Sequence, residues 1–401
     1  MSRRHDIDAL RVFAFALLIF YHLGMLYVAP LSDWPGMPLH SAYMAQWLQY
    51  PMLFVNRWRM ELLFLISGLA VHFMRDKTGL PGLAWKRTQR LLIPLIFGML
   101  VVIPIQPYVA GLADHMFAPG FGAFLLHYWT HSDKDFGLNW AHLWYLPYLW
   151  IYTMLLLIVL PALESRPGQR LRVLCLKLRG TRLLVHPVLP LFAYGVLLSW
   201  RYPETHALMG DWYALALYAT IFFYGYLLGA DTALWAELAR LRRHSLALAL
   251  GCFASYLFLD KFAGRYIDLY IHHAAVLIAL KLLTVWLHYS YTWTAIIAIL
   301  GWGHAYLNRP FRWLPYAREA VYPWYILHQS LLLFFAWQVM PLHLGPVAEP
   351  LLIVLGTLAG CALLHEYLIR RTRWLRPLFG LNPLPPCTLP AVSAMELARM
   401  K

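Results

Sequence analysis

Two histidines stand alone in long apolar stretches, His22 within Val12–Val28 and His328 within Ala320–Met340. An imidazole whose unperturbed pKa is near 6.5 takes up and returns protons at neutral pH, so their chemistry would be general acid–base work or a proton relay. At ~100° per residue His22 lies about 20° round a helix from Arg11 and about 40° from Asp8, so the three share one face. At ~1.5 Å rise per residue His22 sits roughly 16 Å beyond Arg11, near mid-bilayer if Arg11 marks the interface. Tyr325 and His328, three apart, also share a face. Counted from Glu319, His328 lies roughly 13 Å deep, comparable to His22. Either histidine alone is as readily a structural imidazole bonded to a neighbouring helix as a functional one, but two at one depth point to a shared polar chamber.

A second group is basic. Lys86, Arg87 and Arg90 open another apolar run, and Arg87 and Arg90 present two planar forks to one side, suited to the phosphates of a nucleotide-like donor. Topological anchoring explains any one of them equally well. His142, with Trp140 and Trp144, stands at the start of a further apolar run. Aromatic rings with polar edges suit sugar faces, and the same residues suit an interfacial belt.

The elements that must carry these residues are membrane helices. The chain of 401 residues is 61% hydrophobic and 13% charged, with a mean hydropathy of +0.55, outside the range of soluble domains. Most of the 33 Lys and Arg fall in segments 1–11, 75–90, 164–186, 237–244, 308–318 and 370–401. This alternation is the positive-inside pattern; it puts both termini in the cytoplasm and gives the net charge of +14 a topological meaning, with no nucleic acid as partner. The spacing predicts an all-α polytopic protein of about ten transmembrane helices around a polar chamber. Residues 1–376 form the membrane domain and 377–401 a Pro-rich disordered cytoplasmic tail. Basic segments 237–244 and 308–318 require an even number of crossings between them, so Ile271–Leu287, with His272, His273, Lys281 and His288, is expected as an outer-face interfacial helix beside a span at Trp293–Tyr306. Arg3-Arg4 before the first run lacks a following cleavage site, which predicts an uncleaved span. Four scattered cysteines without a C-x-x-C pair support neither a disulfide framework nor a metal site.

In this order the motifs become recognisable. Arg4-x3-Asp8-x2-Arg11-x10-His22, Phe64-Leu65-Ile66-Ser67-Gly68, Arg87-Thr88-Gln89-Arg90, His142-Leu143-Trp144-Tyr145-Leu146 and Tyr322-Pro323-Trp324-Tyr325-Ile326-Leu327-His328-Gln329 run over residues 4–370. The chain resembles the acyltransferase-3 family of multispan membrane O-acyltransferases, most closely its glucan biosynthesis protein C branch. Glu61 departs from that branch, where an apolar residue or proline stands. The resemblance implies an enzyme of the bacterial inner membrane with no resident cofactor. Its donor would be acyl-CoA (succinyl-CoA or acetyl-CoA), bound from the cytoplasm at Lys86, Arg87 and Arg90, and its acceptor a periplasmic carbohydrate at His142, Trp144 and Trp140. Asp8, Arg11, His22, Tyr325 and His328 would form the catalytic centre. A carbohydrate or proton-coupled transporter using the same histidines as a relay is the alternative. The sequence leaves the oligomeric state open.

Overall fold

The computed structural model describes residues 4–29, 37–75, 79–131, 136–263 and 274–384, and within them every regular element is helical. Six helical runs are long and apolar enough to cross a membrane: His5–Met25, Leu80–Ala113, Ala141–Glu164, Ala274–Tyr306, Leu314–Leu342 and Ala348–Ile369. Two bent pairs, Arg166–Leu176 with Thr181–Leu197 and Trp212–Leu228 with Thr232–Lys261, raise the number to eight. The helix Gln49–Arg75 is long enough to cross but less apolar, because Arg57, Arg59 and Glu61 interrupt it, although its middle is buried in the bundle.

We label the principal helices α1 (His5–Met25), α2 (Gln49–Arg75), α3 (Leu80–Phe97), α4 (Ile105–Ala113), α5 (Phe121–Thr130), α6 (Tyr145–Glu164), α7 (Arg166–Leu176), α8 (Thr181–Val185), α9 (Val188–Leu197), α10 (Trp212–Leu228), α11 (Thr232–Phe258), α12 (Ala274–Tyr306), α13 (Leu314–Val339) and α14 (Ala348–Leu363). Helix α1 packs on α2, α12 and α13; α2 packs on α10, α3 on α6, α11 on α12, and α13 on α14.

Helix α1 begins in a polar knot. Arg4 donates to both oxygens of fully buried Asp6 at 2.9 and 2.6 Å and lies 3.7 Å over the Trp235 ring, while His304 Nδ1 is 3.3 Å from Asp6. The knot ties α1 to α11 and α12, and Asp6 and Asp8 in the first turn suit the positive end of the helix dipole.

The run from α3 to α4 shows how the chain satisfies its backbone where a helix is broken. A π turn at Gly98–Val102 sends the Ile103 N–H to Gly98 O (2.9 Å), Pro104 has no N–H, and the Gln106 N–H bonds Ile103 O (2.8 Å). The carbonyls of Met99, Leu100 and Val102 therefore lose their helical partners. Side chains replace them: the Tyr128 hydroxyl on Met99 O, the Trp129 indole on Leu100 O and the Ser330 hydroxyl on Val102 O, at 3.2, 3.2 and 2.8 Å.

The close helix contact expected at Ser67-Gly68 is made with α10. A Cβ on Gly68 would collide with the Phe222 carbonyl oxygen, and one on Gly225 with that of Leu65, so the two backbones touch. Gly68→Ala is expected to lower stability by about 1–3 kcal/mol through overpacking. A thermal melt of the purified variant in detergent checks this; an unshifted midpoint would mean that the helices separate freely.

Two expectations are corrected. Ile271–Leu287 and Trp293–Tyr306 are not separate: residues 274–306 form the single helix α12 of 33 residues, about 50 Å long at ~1.5 Å per residue. Lys281 lies on its exposed first third, His288 faces the interior, and His272 and His273 lie outside the described residues. The dip in hydropathy at Lys281 and His288 divides the apolar signal, but no Gly or Pro between residues 274 and 300 breaks the helix. The tail expected from residue 377 is folded at its start. Phe379 and Leu381 are buried, the Phe379 ring packs 5.2 Å from Phe97, and Arg376 donates to Asn382 O at 2.8 Å. The remainder of that tail, 385–401, lies outside the described residues.

Candidate functional site

A cavity of about 380 Å³ opens between α1, α2, α6, α10, α12 and α13, and its wall carries both polar and aromatic groups. His22 lines it, and behind His22 stands fully buried His328. The hydrogen bonds fix the tautomers. His328 Nδ1 is 2.7 Å from the Tyr325 carbonyl oxygen and 3.2 Å from that of Trp324. A carbonyl only accepts, so His328 Nδ1 carries the proton and, in the neutral ring, Nε2 is the acceptor. It faces His22 Nδ1 at 3.1 Å, so His22 Nδ1–H donates. His22 Nε2 keeps its lone pair on the ring that lines the cavity.

His142 is oriented in the same manner but ends differently. Its Nε2–H donates to the carbonyls of Tyr325 (3.1 Å) and Ile326 (3.2 Å), and its Nδ1 accepts from Gln106 Nε2 at 3.1 Å. Gln106 also donates to Ser330 (2.9 Å), whose hydroxyl holds the freed Val102 carbonyl. Both ring nitrogens of His142 are thus used inside the protein. The ring is a wall of the cavity, edge-on to His328 at 5.1 Å, and offers no free nitrogen to a sugar hydroxyl.

The remaining expected residues divide. Tyr325 lines the cavity, packs 5.1 Å from Phe15, and spends its hydroxyl proton on His142 O at 2.7 Å. Trp144 lines the cavity with its ring stacked 3.9 Å from that of His206. Trp140 does not line it; its indole donates to His206 O (2.9 Å) and holds the 201–211 loop, where Asp211 accepts from Tyr148 and from the His206 N–H. Asp8 and Arg11 do not reach it either. Asp8 pairs with Arg318 at 3.6 Å, while Arg11 stands at the end where α1 begins, close enough to Arg87 and Arg90 for mutual repulsion.

Arg87, Arg90 and Arg11 therefore form a basic mouth on that side. Arg87 is 7% exposed, and its Nε and Nη2, which share one edge of the guanidinium, have no partner among the described residues. That edge is the fork that takes a phosphate or carboxylate at two points. Thr88 accepts from the Trp150 indole (3.0 Å) and Tyr322 donates to Arg90 O (3.0 Å), fixing α3 against α6 and α13. Lys86, one step of about 100° away, is exposed on another face. Between mouth and cavity stands Tyr145, which donates to Leu63 O at 3.1 Å, lies 2.6 Å from Ser67 Oγ, lines the cavity and is within electrostatic reach of Arg87.

The sequence reading missed the opposite wall. Arg57, Arg59 and Glu61 of α2 line the cavity together with Glu204, Tyr213, Tyr218 and His288. The signal was present: three charges within five residues of an otherwise apolar helix are costly unless they face a polar interior.

A family model for an acyltransferase domain, that of acyltransferase family 3, matches residues 4–366. No curated protein and no solved structure matches the chain. A match over nearly its whole length, on a bundle of apolar helices, identifies the chain as a multi-pass membrane acyltransferase that belongs to the acyltransferase-3 family.

Proposed function

We propose that this protein is a transmembrane O-acyltransferase of the bacterial inner membrane. It moves a succinyl or acetyl group from cytoplasmic acyl-CoA to a hydroxyl of a periplasmic carbohydrate such as an osmoregulated periplasmic glucan. The carrying observation is the chain of hydrogen bonds from the Tyr325 carbonyl through His328 to His22, which leaves one basic nitrogen on the cavity.

In this reading the acceptor hydroxyl gives its proton to His22 Nε2 as its oxygen attacks the thioester carbonyl carbon. The tetrahedral adduct collapses, the carbon–sulfur bond breaks, and the departing thiolate takes the proton back from the imidazolium. His328 Nε2 accepts from His22 Nδ1 throughout and stabilises the imidazolium while it exists. Arg87, Arg90 and Arg11 hold the donor's phosphates, and Trp144 and Tyr218 face the sugar. The ten-span topology belongs to the same reading. Helix α2 crosses with its charges turned into the cavity, α9, α10 and α11 each cross, and both termini lie in the cytoplasm.

Purified protein in liposomes, given acetyl-CoA or succinyl-CoA and a glucan acceptor, is expected to form glucan esters detectable by mass spectrometry. No ester from either donor, with carbohydrate carried across the bilayer unmodified, would replace the enzyme with an exporter.

The donor mouth gives a separate prediction. Each charge-assisted hydrogen bond contributes ~1.5–3 kcal/mol, so replacing Arg87 and Arg90 together by Gln should weaken acyl-CoA binding at least tenfold, as read by calorimetry. Unchanged affinity in a correctly inserted double variant would reduce both arginines to topological anchors.

A further inference from the structure

Two guanidinium groups in the cavity have no part in the proton transfer just described. Arg59, 4% exposed, has its guanidinium carbon 3.7 Å over the centroid of the ring of Tyr21, the residue before His22, and its Nε and Nη1 have no partner among the described residues. With the Tyr21 ring over the guanidinium carbon, the unpartnered Nε–H and Nη1–H donors are what the group offers a ligand. Arg57 donates through Nη2 to the Tyr256 hydroxyl at 3.1 Å and leaves Nε unpartnered. Both line the cavity.

The nearby carboxylates do not answer these charges by contact. Glu61 lines the same cavity and is within electrostatic reach of both arginines, but it makes no ion pair with either among the described residues, and its own Oε2 is unpartnered. Glu204 is held by His206 at 2.8 Å and by the Tyr218 hydroxyl at 2.6 Å. A buried guanidinium without an anion in contact is unfavourable, and a neutral hydroxyl accepts its hydrogen bond without neutralising it.

We propose that Arg59, assisted by Arg57, forms a subsite for a carboxylate carried into the cavity by one of the two substrates. The carrier is either a dicarboxylic acyl group, whose second carboxylate lies beyond the thioester carbonyl, or an acidic sugar on the acceptor. The identity of these carriers rests on the acyl-transfer reading; the anion subsite itself does not.

The test is equilibrium binding to the purified full-length protein with two matched pairs of probes. One is succinyl-CoA against butyryl-CoA, and the other a glucuronate-containing oligosaccharide against its glucose counterpart. In one pair the charged member is expected to bind at least tenfold more tightly. That preference should vanish in Arg59→Gln, survive in large part in Arg59→Lys, and shrink in Arg57→Gln, which keeps the test open if Arg59→Gln does not fold. The pair that shows it identifies the carrier. Equal binding of charged and neutral members in both pairs, or a preference that survives the loss of Arg59, overturns the proposal. Selective binding with no ester formed by the wild-type protein would sink the acyl-transfer reading and leave the subsite standing.

Discussion

His22→Ala is expected to lower acyl transfer by roughly 10²–10⁴-fold while acyl-CoA binding and membrane insertion are retained, the range a positioned general base contributes. A sugar hydroxyl is a poor nucleophile at neutral pH, and removing its proton as the carbon–oxygen bond forms avoids a free alkoxide. A base for this step needs an unshared pair on the cavity and a fixed tautomer. His22 has both, because its Nδ1–H is committed to His328 and its ring lines the cavity. His142 lacks the first, with both nitrogens occupied. Single-turnover kinetics with preloaded donor separates the chemical step from binding. Near-normal turnover in His22→Ala would remove it from the base position.

The meeting of His22 and His328 was legible because it depends on periodicity and rise alone. Two helices starting from the same side bring residues of equal depth together, and the structure sets the nitrogens 3.1 Å apart. The directions in which side chains spend their hydrogen bonds were not legible. His142, Trp140 and Tyr325 are all near the cavity, yet each gives its donor to a backbone carbonyl on another helix or loop. Such partners arise from packing between segments more than 60 residues apart, and spacing along the chain carries no trace of them. Helix α12 failed for a different reason. Averaged hydropathy reads Lys281 and His288 as a boundary, whereas a helix ends only where backbone hydrogen bonding is broken or capped. The charges of α2 stood in plain view: ionisable groups inside a span turn toward a polar interior, and the cavity wall is where Arg57, Arg59 and Glu61 lie.

In the proposed mechanism His328 acts through His22, and its replacement separates that positioning role from simple core packing. In His328→Leu the His22 Nδ1–H loses its acceptor in a water-poor interior, and the imidazolium formed during transfer loses a charge-assisted hydrogen bond. Such a bond is worth ~1.5–3 kcal/mol, and each 1.36 kcal/mol on the barrier is a factor of ten, so kcat should fall on the order of 10²-fold. The donor KM should change little, because the basic mouth lies on the far side of Tyr145. His328→Gln offers a side-chain carbonyl to the same N–H and is expected to recover at least part of the lost rate. A purely structural histidine would behave otherwise: Leu, apolar and similar in bulk, would then serve as well as or better than Gln in this fully buried position. The order of the two variants in kcat, measured beside their melting temperatures, is therefore the deciding observation. If Leu equals or exceeds Gln in rate at matched stability, His328 is a packing residue and His22 is oriented by something else.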